Sequence, residues 1–399
     1  MDEAAKEGDL AELQRLHSNG ETCTRLAMQH AAQNGHLEMV KYLHEVVKEP
    51  CTHWAMNWAA KSGHLDMVKY LHKVVKATCT HWSMDRATRN GHLKVVKYLY
   101  WEMGVTCGYP AMDWAAGKGH LEVVKYLHKV VKAPCSFRGM DRAAENGHLE
   151  VVEYFHNEVE GVTCTTDAMD RAAENGHLEV VGYLHKVVNA PCSSRAMDRA
   201  AENGHFEVVE YLHNEVEGAT CSHLAIECAA RKGNLKMVEY LHKVVRAPCS
   251  KKTISWAAWK GRLAVVEYLH EKMKAECLPT AIVWAARAGH LAVVKYLHEV
   301  VNAPHTDLSV LVLPKTLSEY PEVFEYLVLN RLTDQILKNC SPRVVSAIRE
   351  ITKKRMRRAA RKAIYVAAVY RSLTRVRFRP GGSGANTAKE HFEQLSRIS

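Results

Sequence analysis

A glycine returns at an almost fixed interval through most of this chain. It opens a recurring Gly-His-Leu and falls at Gly8, Gly35, Gly63, Gly91, Gly119, Gly147, Gly176, Gly204, Gly233, Gly261 and Gly289, spaced by 27 to 29 residues. Self-similarity at such a period is the mark of a repeat architecture, in which each copy is one supersecondary unit. A blurred twelfth copy survives at Val323-Phe324-Glu325-Tyr326-Leu327, which echoes Val293-Val294-Lys295-Tyr296-Leu297.

Residues 192–219 illustrate one unit. Ser193 or Ser194 suits the cap of a first helix through Ala196-Met197-Asp198-Arg199-Ala200-Ala201-Glu202, because a hydroxyl accepts from the unpaired amides of a helix start. Gly204 suits the left-handed residue that closes it. A second helix from Phe206 to about Val216 places Phe206, Val208, Val209, Leu212 and Val216 on one stripe at helical spacing. Helices this short are unstable alone, so stacked neighbours must supply the core.

The stretch Met-Asp-Arg-Ala-Ala-Glu-Asn-Gly-His-Leu-Glu-Val-Val-Glu-Tyr, found at 140–154 and nearly repeated at 169–184 and 197–212, resembles the heart of the ankyrin repeat. The likeness covers residues 1–303. It departs from the family in two ways. The unit is about 28 residues long where the usual repeat has about 33, and Arg195-Ala196-Met197-Asp198 replaces the Thr-Pro-Leu-His turn. The expected fold is an all-α, ankyrin-like helical-repeat solenoid with a basic helical C-terminal extension. About eleven copies occupy 1–304, a degenerate repeat and cap 305–330, the basic extension 331–379, and a flexible tail 380–399. The first copy is the more polar, as a terminal cap should be.

No apolar run approaches the roughly 18 residues of a membrane span, and the polar N-terminus lacks a signal core. An intracellular protein, in cytoplasm or nucleus, is the expectation. Ten cysteines form a column, Cys23, Cys51, Cys79, Cys107, Cys135, Cys164, Cys192, Cys221, Cys249 and Cys277, each 12 residues before its Gly. Equivalent atoms of stacked helices lie about 10 Å apart, beyond the roughly 7 Å a disulfide tolerates. They read as small, buried, free thiols.

Two histidine columns recur, one after the Gly (His36, His64, His92, His120, His148, His177, His205, His290) and one after Tyr-Leu (His44, His72, His128, His185, His213, His242, His270, His298). The first suits a cap on the second helix, the second a partly buried ring near its end. Metal sharing between neighbouring repeats is the alternative. The His-Glu pairs at 44–45, 270–271 and 298–299 lack the second His of a zinc-protease motif, since Lys48, Lys274 and Asn302 stand in its place. There is no phosphate loop and no dinucleotide glycine pattern. The chain reads as a binding protein without cofactor or catalytic residues.

The resemblance also implies where a partner binds. In ankyrin proteins the two residues after Ala-Ala, and those in the turn before the first helix, face a concave groove. Here the first set supplies Lys61, Arg89, Lys118, Glu145, Glu174, Glu202, Arg231, Lys232, Trp259 and Lys260. The second supplies His53, Trp54, His81, Trp82, Tyr109 and Phe137. Trp and Arg are frequent hot spots of protein interfaces. The competing role for each Trp is to fill space left by a shortened hairpin; the two are evenly matched for Trp58, Trp114, Trp256 and Trp284.

Charge divides the chain. Residues 305–399 carry 18 Lys and Arg against 8 Asp and Glu, whereas residues 1–304 are balanced at 36 of each. The densest run holds Lys353, Lys354, Arg355, Arg357, Arg358, Arg361 and Lys362. It suits a nuclear-import signal read by an import receptor, a patch for nucleic acid or an anionic membrane, or a solvated helix face.

Overall fold

The structure is a computed structural model that describes residues 1–303 together with residues 319, 320, 322, 323, 326 and 327. The basic extension, its Lys353–Lys362 run and the tail lie outside the described residues, as does most of the degenerate repeat. The chain divides into two units, one of Met1–Thr253 with Glu271–Ala275, the other of Ile254–His270 with the described residues from Glu276 onward. All regular structure among the described residues is helical: 22 α-helices of six to eleven residues, arranged as pairs. No described helix is long and apolar enough to cross a membrane.

One pair shows how the sequence produces the repeat. Helix Ser194–Asn203 is capped by the Ser193 hydroxyl, which accepts from the Arg195 amide. It buries Ala196, Met197, Ala200 and Ala201, and Gly204 ends it at φ 83°. Helix Phe206–Glu215 follows and buries Val208, Val209 and Leu212, with Val216 buried just beyond it. The Ala column puts no bulk between neighbouring first helices, while the Val and Leu side chains fill the space beneath. Burying each of the larger ones contributes on the order of 1.5–3 kcal/mol.

The way the second helix ends explains the two longer intervals, from Gly147 to Gly176 and from Gly204 to Gly233. In one class the last turn widens, so that the amide of Lys48, Lys132, Asn189 or Arg246 bonds back five residues to Leu43, Leu127, Leu184 or Leu241. Those four residues sit at φ 54–63°, which is left-handed backbone and rare for side chains other than Asn. In the other class an extra residue is accommodated: Val159 or Val216 packs inward, and Gly161 or Gly218 takes φ 74°. The two 29-residue spacings follow these longer loops.

Polar ties join each repeat to the next. Asp141 accepts from both the amide and the hydroxyl of Thr165, at 2.9 and 2.7 Å. Asp113 with Ser136, Asp170 with Ser193 and Asp198 with Ser222 repeat the arrangement. The same hydroxyls accept from the next helix start, so one group serves both cap and latch. Asp2 holds Thr24 in the same way. Asn57 bonds the Ser83 hydroxyl at 2.6 Å, and Asp85 accepts the Gly108 amide at 2.7 Å.

The histidines following glycine do not cap their helices with a side-chain bond, contrary to expectation. Their rings instead swing back over the preceding repeat. His64 Nε2 lies 3.0 Å from the Gln33 carbonyl oxygen and His92 Nε2 lies 2.9 Å from that of Lys61. A Cβ on Gly35 or Gly63 would fall within 2.5–2.7 Å of those rings. The recurring glycine is thus required twice, by its left-handed backbone and by the ring of the repeat after it. In the second column, His72 Nδ1 pairs with the Tyr98 hydroxyl of the next repeat at 2.9 Å, and His128 does so with Tyr154. His298 makes the same pairing with Tyr326 at 2.8 Å, within the blurred copy.

Candidate functional site

The residues expected in the turn before the first helix lie mostly one step later. Thr52, Thr80 and Ser136 are the caps, so His53, His81 and Phe137 are first helical residues and Trp54 and Trp82 second. The shift arises because each cap hydroxyl is placed by the repeat before it: Thr80 by Asn57, Ser136 by Asp113. Tyr109 precedes its helix, as expected, since Pro110 is the cap there. The buried face starts only at Ala55, Ser83 and Gly139, so the first-turn side chains stand off the core.

They form an exposed apolar ridge. Leu26, Trp54, Trp82 and Phe137 are 48–50% exposed and Tyr109 is 64% exposed, one residue from each of five consecutive repeats. His53 lies beside Trp54 with ring centres 5.1 Å apart, and His81 beside Trp82 at 5.6 Å. The Arg86 guanidinium stands 5.9 Å from the Trp82 ring. In the next two repeats the register turns charged, with Asp167 and Arg195. Leu26 does not stand out in the sequence; its place three residues after a column cysteine, as for Trp54 and Trp82, is the signal that marks it. Trp101, exposed on a second helix, is likewise outside the expected set, and its signal is the replacement of His-Lys by Tyr100-Trp101.

The residues after Ala-Ala divide into two groups. Several are engaged within the repeat stack. Glu145 accepts from Arg171 at 3.0 Å, and Glu202 from Arg231 at 2.7 Å. Glu174 stands 4.0 Å from Arg199. These half-exposed ion pairs contribute little stability each, on the order of 0–1 kcal/mol. The Lys61 amine covers Trp58 at 4.3 Å, and the Arg89 guanidinium stands 5.7 Å from Trp114 of the next repeat. Asn90, Asn175 and Asn203 donate to the carbonyls of Lys61, Glu145 and Glu174 one repeat back. Lys118 and Lys232 are exposed. In the second unit Lys260 lies over Trp259 at 4.0 Å.

Trp58, Trp114, Trp256 and Trp284 are half-buried, touching both core and surface. The column cysteines are free thiols. They are half-buried rather than buried, and Cys249 is exposed, because each lies in the loop that crosses between repeats. Burial pushes the thiols of Cys51, Cys192, Cys221 and Cys277 up to about 11. Among the described residues, no three His, Cys, Asp or Glu side chains gather as a metal site.

The family description "Ankyrin repeats (3 copies)" matches residues 1–81, 140–223, 170–255 and 197–278, and "Ankyrin repeats (many copies)" matches 84–128 and 112–156. A comparison with curated proteins gave no match. The matched segments span most of the paired helices, and the Ala-Ala core, the left-handed glycine and the stacked helix pairs recur within them; the chain belongs to the ankyrin-repeat family.

Proposed function

We propose that the protein is a non-catalytic scaffold that holds a partner protein along the ridge of Leu26, Trp54, Trp82, Tyr109 and Phe137. Ankyrin repeats in general mediate protein–protein interaction. The observation that carries the reading is that five successive repeats expose a large apolar side chain at nearly one register. A contiguous apolar strip is a typical recognition surface on a folded protein, and Trp and Tyr concentrate binding energy. The exposed groove residues Arg89, Lys118 and Lys232 supply a polar rim.

The test is a quantitative pull-down from native extract with the full chain and its Trp54→Ala and Trp82→Ala variants. Each change should weaken the retained partner by about 1–4 kcal/mol, with helical content unchanged. Equal retention by all three proteins removes the ridge from the interface. A large fall in melting temperature assigns these rings to the core instead.

A second role is proposed for the C-terminal segment on its charge alone, with 15 Lys and Arg against Asp334 and Glu350 in residues 331–379. It acts as a nuclear address through Lys353, Lys354, Arg355, Arg357 and Arg358, or as a tether to a polyanion. Changing those five residues to Ala should abolish nuclear enrichment of a fluorescent fusion. Steeply salt-dependent binding to RNA or acidic vesicles marks the tether instead.

A further inference from the structure

The second unit contains a cleft of about 440 Å³ lined by Trp256, Trp259, Trp284 and Arg287. Its lining residues all belong to the second unit, whereas those of the ridge belong to the first. Trp256 forms its centre, with ring centres 5.6 Å from Trp259 and 5.1 Å from Trp284 at interplanar angles of 64° and 59°. Three indoles set at an angle leave aromatic faces and edges around one space, and that volume lies in the range of sites that enclose a small molecule or a side chain. The indole N–H of Trp256 is buried and has no acceptor among the described residues.

Charge decides which group fits. Tryptophan faces attract cations, but here that attraction is already used: the Lys260 amine lies 4.0 Å from the centre of the Trp259 ring. Arg287 lines the same cleft, and no carboxylate lines it among the described residues. A second cation therefore meets two fixed positive charges and no counter-ion. The exposed Arg287 guanidinium is in no ion pair among the described residues, and its planar fork matches a carboxylate.

We propose that this cleft is a second docking site, for an acidic peptide segment of a partner protein in which a large apolar or aromatic side chain stands beside a carboxylate. The side chain enters among the three indoles, and the carboxylate pairs with Arg287. The proposal rests on the protein-binding role of the family and on the groove set to which Trp259 and Lys260 belong, and it shares no residue with the ridge.

The experiment presents the full-length protein with a displayed library of random heptapeptides and repeats the selection with Arg287→Glu, Trp284→Ala and Trp54→Ala variants. The wild-type chain should enrich sequences that place Phe, Trp, Tyr or Leu next to Asp or Glu. Synthetic copies of the enriched peptides should lose tenfold or more in affinity to Trp284→Ala and to Arg287→Glu, and none to Trp54→Ala. Because Arg287 is exposed, its replacement leaves the fold intact, checked by helical content, and it should shift the selection towards basic sequences. Enrichment of basic sequences by the wild type, peptides indifferent to Arg287→Glu, or no enrichment at all overturns the proposal. Peptides lost on Trp54→Ala but kept on Trp284→Ala overturn it as well, while leaving the ridge reading standing.

Discussion

The Thr165 amide and hydroxyl both donate to the buried carboxylate of Asp141, one repeat earlier, at 2.9 and 2.7 Å. Removing the acceptor strands two donors, so Asp141→Ala should destabilise the array by about 1–3 kcal/mol. Asp141→Asn should cost less than about 1 kcal/mol, because Asn57 already fills the equivalent place and accepts from Ser83. Burial raises the Asp141 carboxyl above its ordinary value, against the lowering effect of the Thr165 bonds. The folded chain then holds that proton more tightly than the unfolded one. Its contribution to stability accordingly declines as pH rises from about 3.9 through the raised folded value. Urea melts at pH 4 and pH 7 should show Asp141→Asn gaining on the wild type at the higher pH. An Asn variant as damaged as the Ala variant refutes the latch.

A second prediction concerns Gly119, at φ 75° with an added Cβ 2.6 Å from His148 Nδ1. Gly119→Ala should cost about 2–4 kcal/mol, of which left-handed backbone accounts for roughly 1–2. In a His148→Ala background the same change should cost only the backbone part, a coupling that a double-mutant cycle reads directly. Purely additive melts would show that the ring does not press on the glycine. Burial, with His177 nearby, also lowers the affinity of His148 for a proton. This group therefore contributes stability above about pH 6.5 that is lost as pH falls below it, the opposite slope to Asp141.

Lys132 holds φ 55° at the end of its helix pair. Lys132→Gly should stabilise the chain by about 0.5–1 kcal/mol, since relief of the backbone strain exceeds the entropy glycine adds to the unfolded chain. Lys132→Val, with its branched Cβ, should destabilise it. Differential scanning calorimetry distinguishes them, and a Gly variant that melts lower rules out strain at this position.

Alkylation without reductant at pH 7.5 should find the column cysteines unlinked and slow to react, because thiols raised to about 11 by burial carry little thiolate. Cys249, the exposed member of the column, should be labelled first. Linked peptides from neighbouring repeats, or rapid labelling of Cys51, would contradict the geometry.

The periodic residues make the repeat legible from the amino-acid order alone. Gly204 as a left-handed terminator, Ser193 as a cap and the Val208-Val209-Leu212 stripe each obey a rule that operates within a few residues. Relations across about 28 residues are not visible in the same way. An Asp at 113, 141, 170 and 198 looks like a polar interruption of an apolar helix until the next repeat's hydroxyl stands beside it. The histidine after each glycine looks like a cap because local geometry offers that role, whereas the carbonyl it meets belongs to the repeat before. The misplacement of Trp54 and Trp82, which are second residues of their helices and not turn residues, has the same origin, for their helix starts are set by Asn57 and its equivalents in neighbouring copies. Exposure of the ridge is legible in part: the aromatics stand out by type, while Leu26 resembles an ordinary core residue.

In most copies an acidic or amide side chain receives a donor of the following copy, and in most the following imidazole reaches back, so the two faces of such repeats follow a common standard. Any copy that carries Asp on one side and a hydroxyl with Gly-His on the other can join any other. Loss or duplication of a whole period in the gene would rejoin matched ends, whereas a shift of a few codons would mismatch every bond at the seam. Array length is therefore free to drift during evolution in steps of one period, and the surface side chains of each copy can diverge independently of their neighbours.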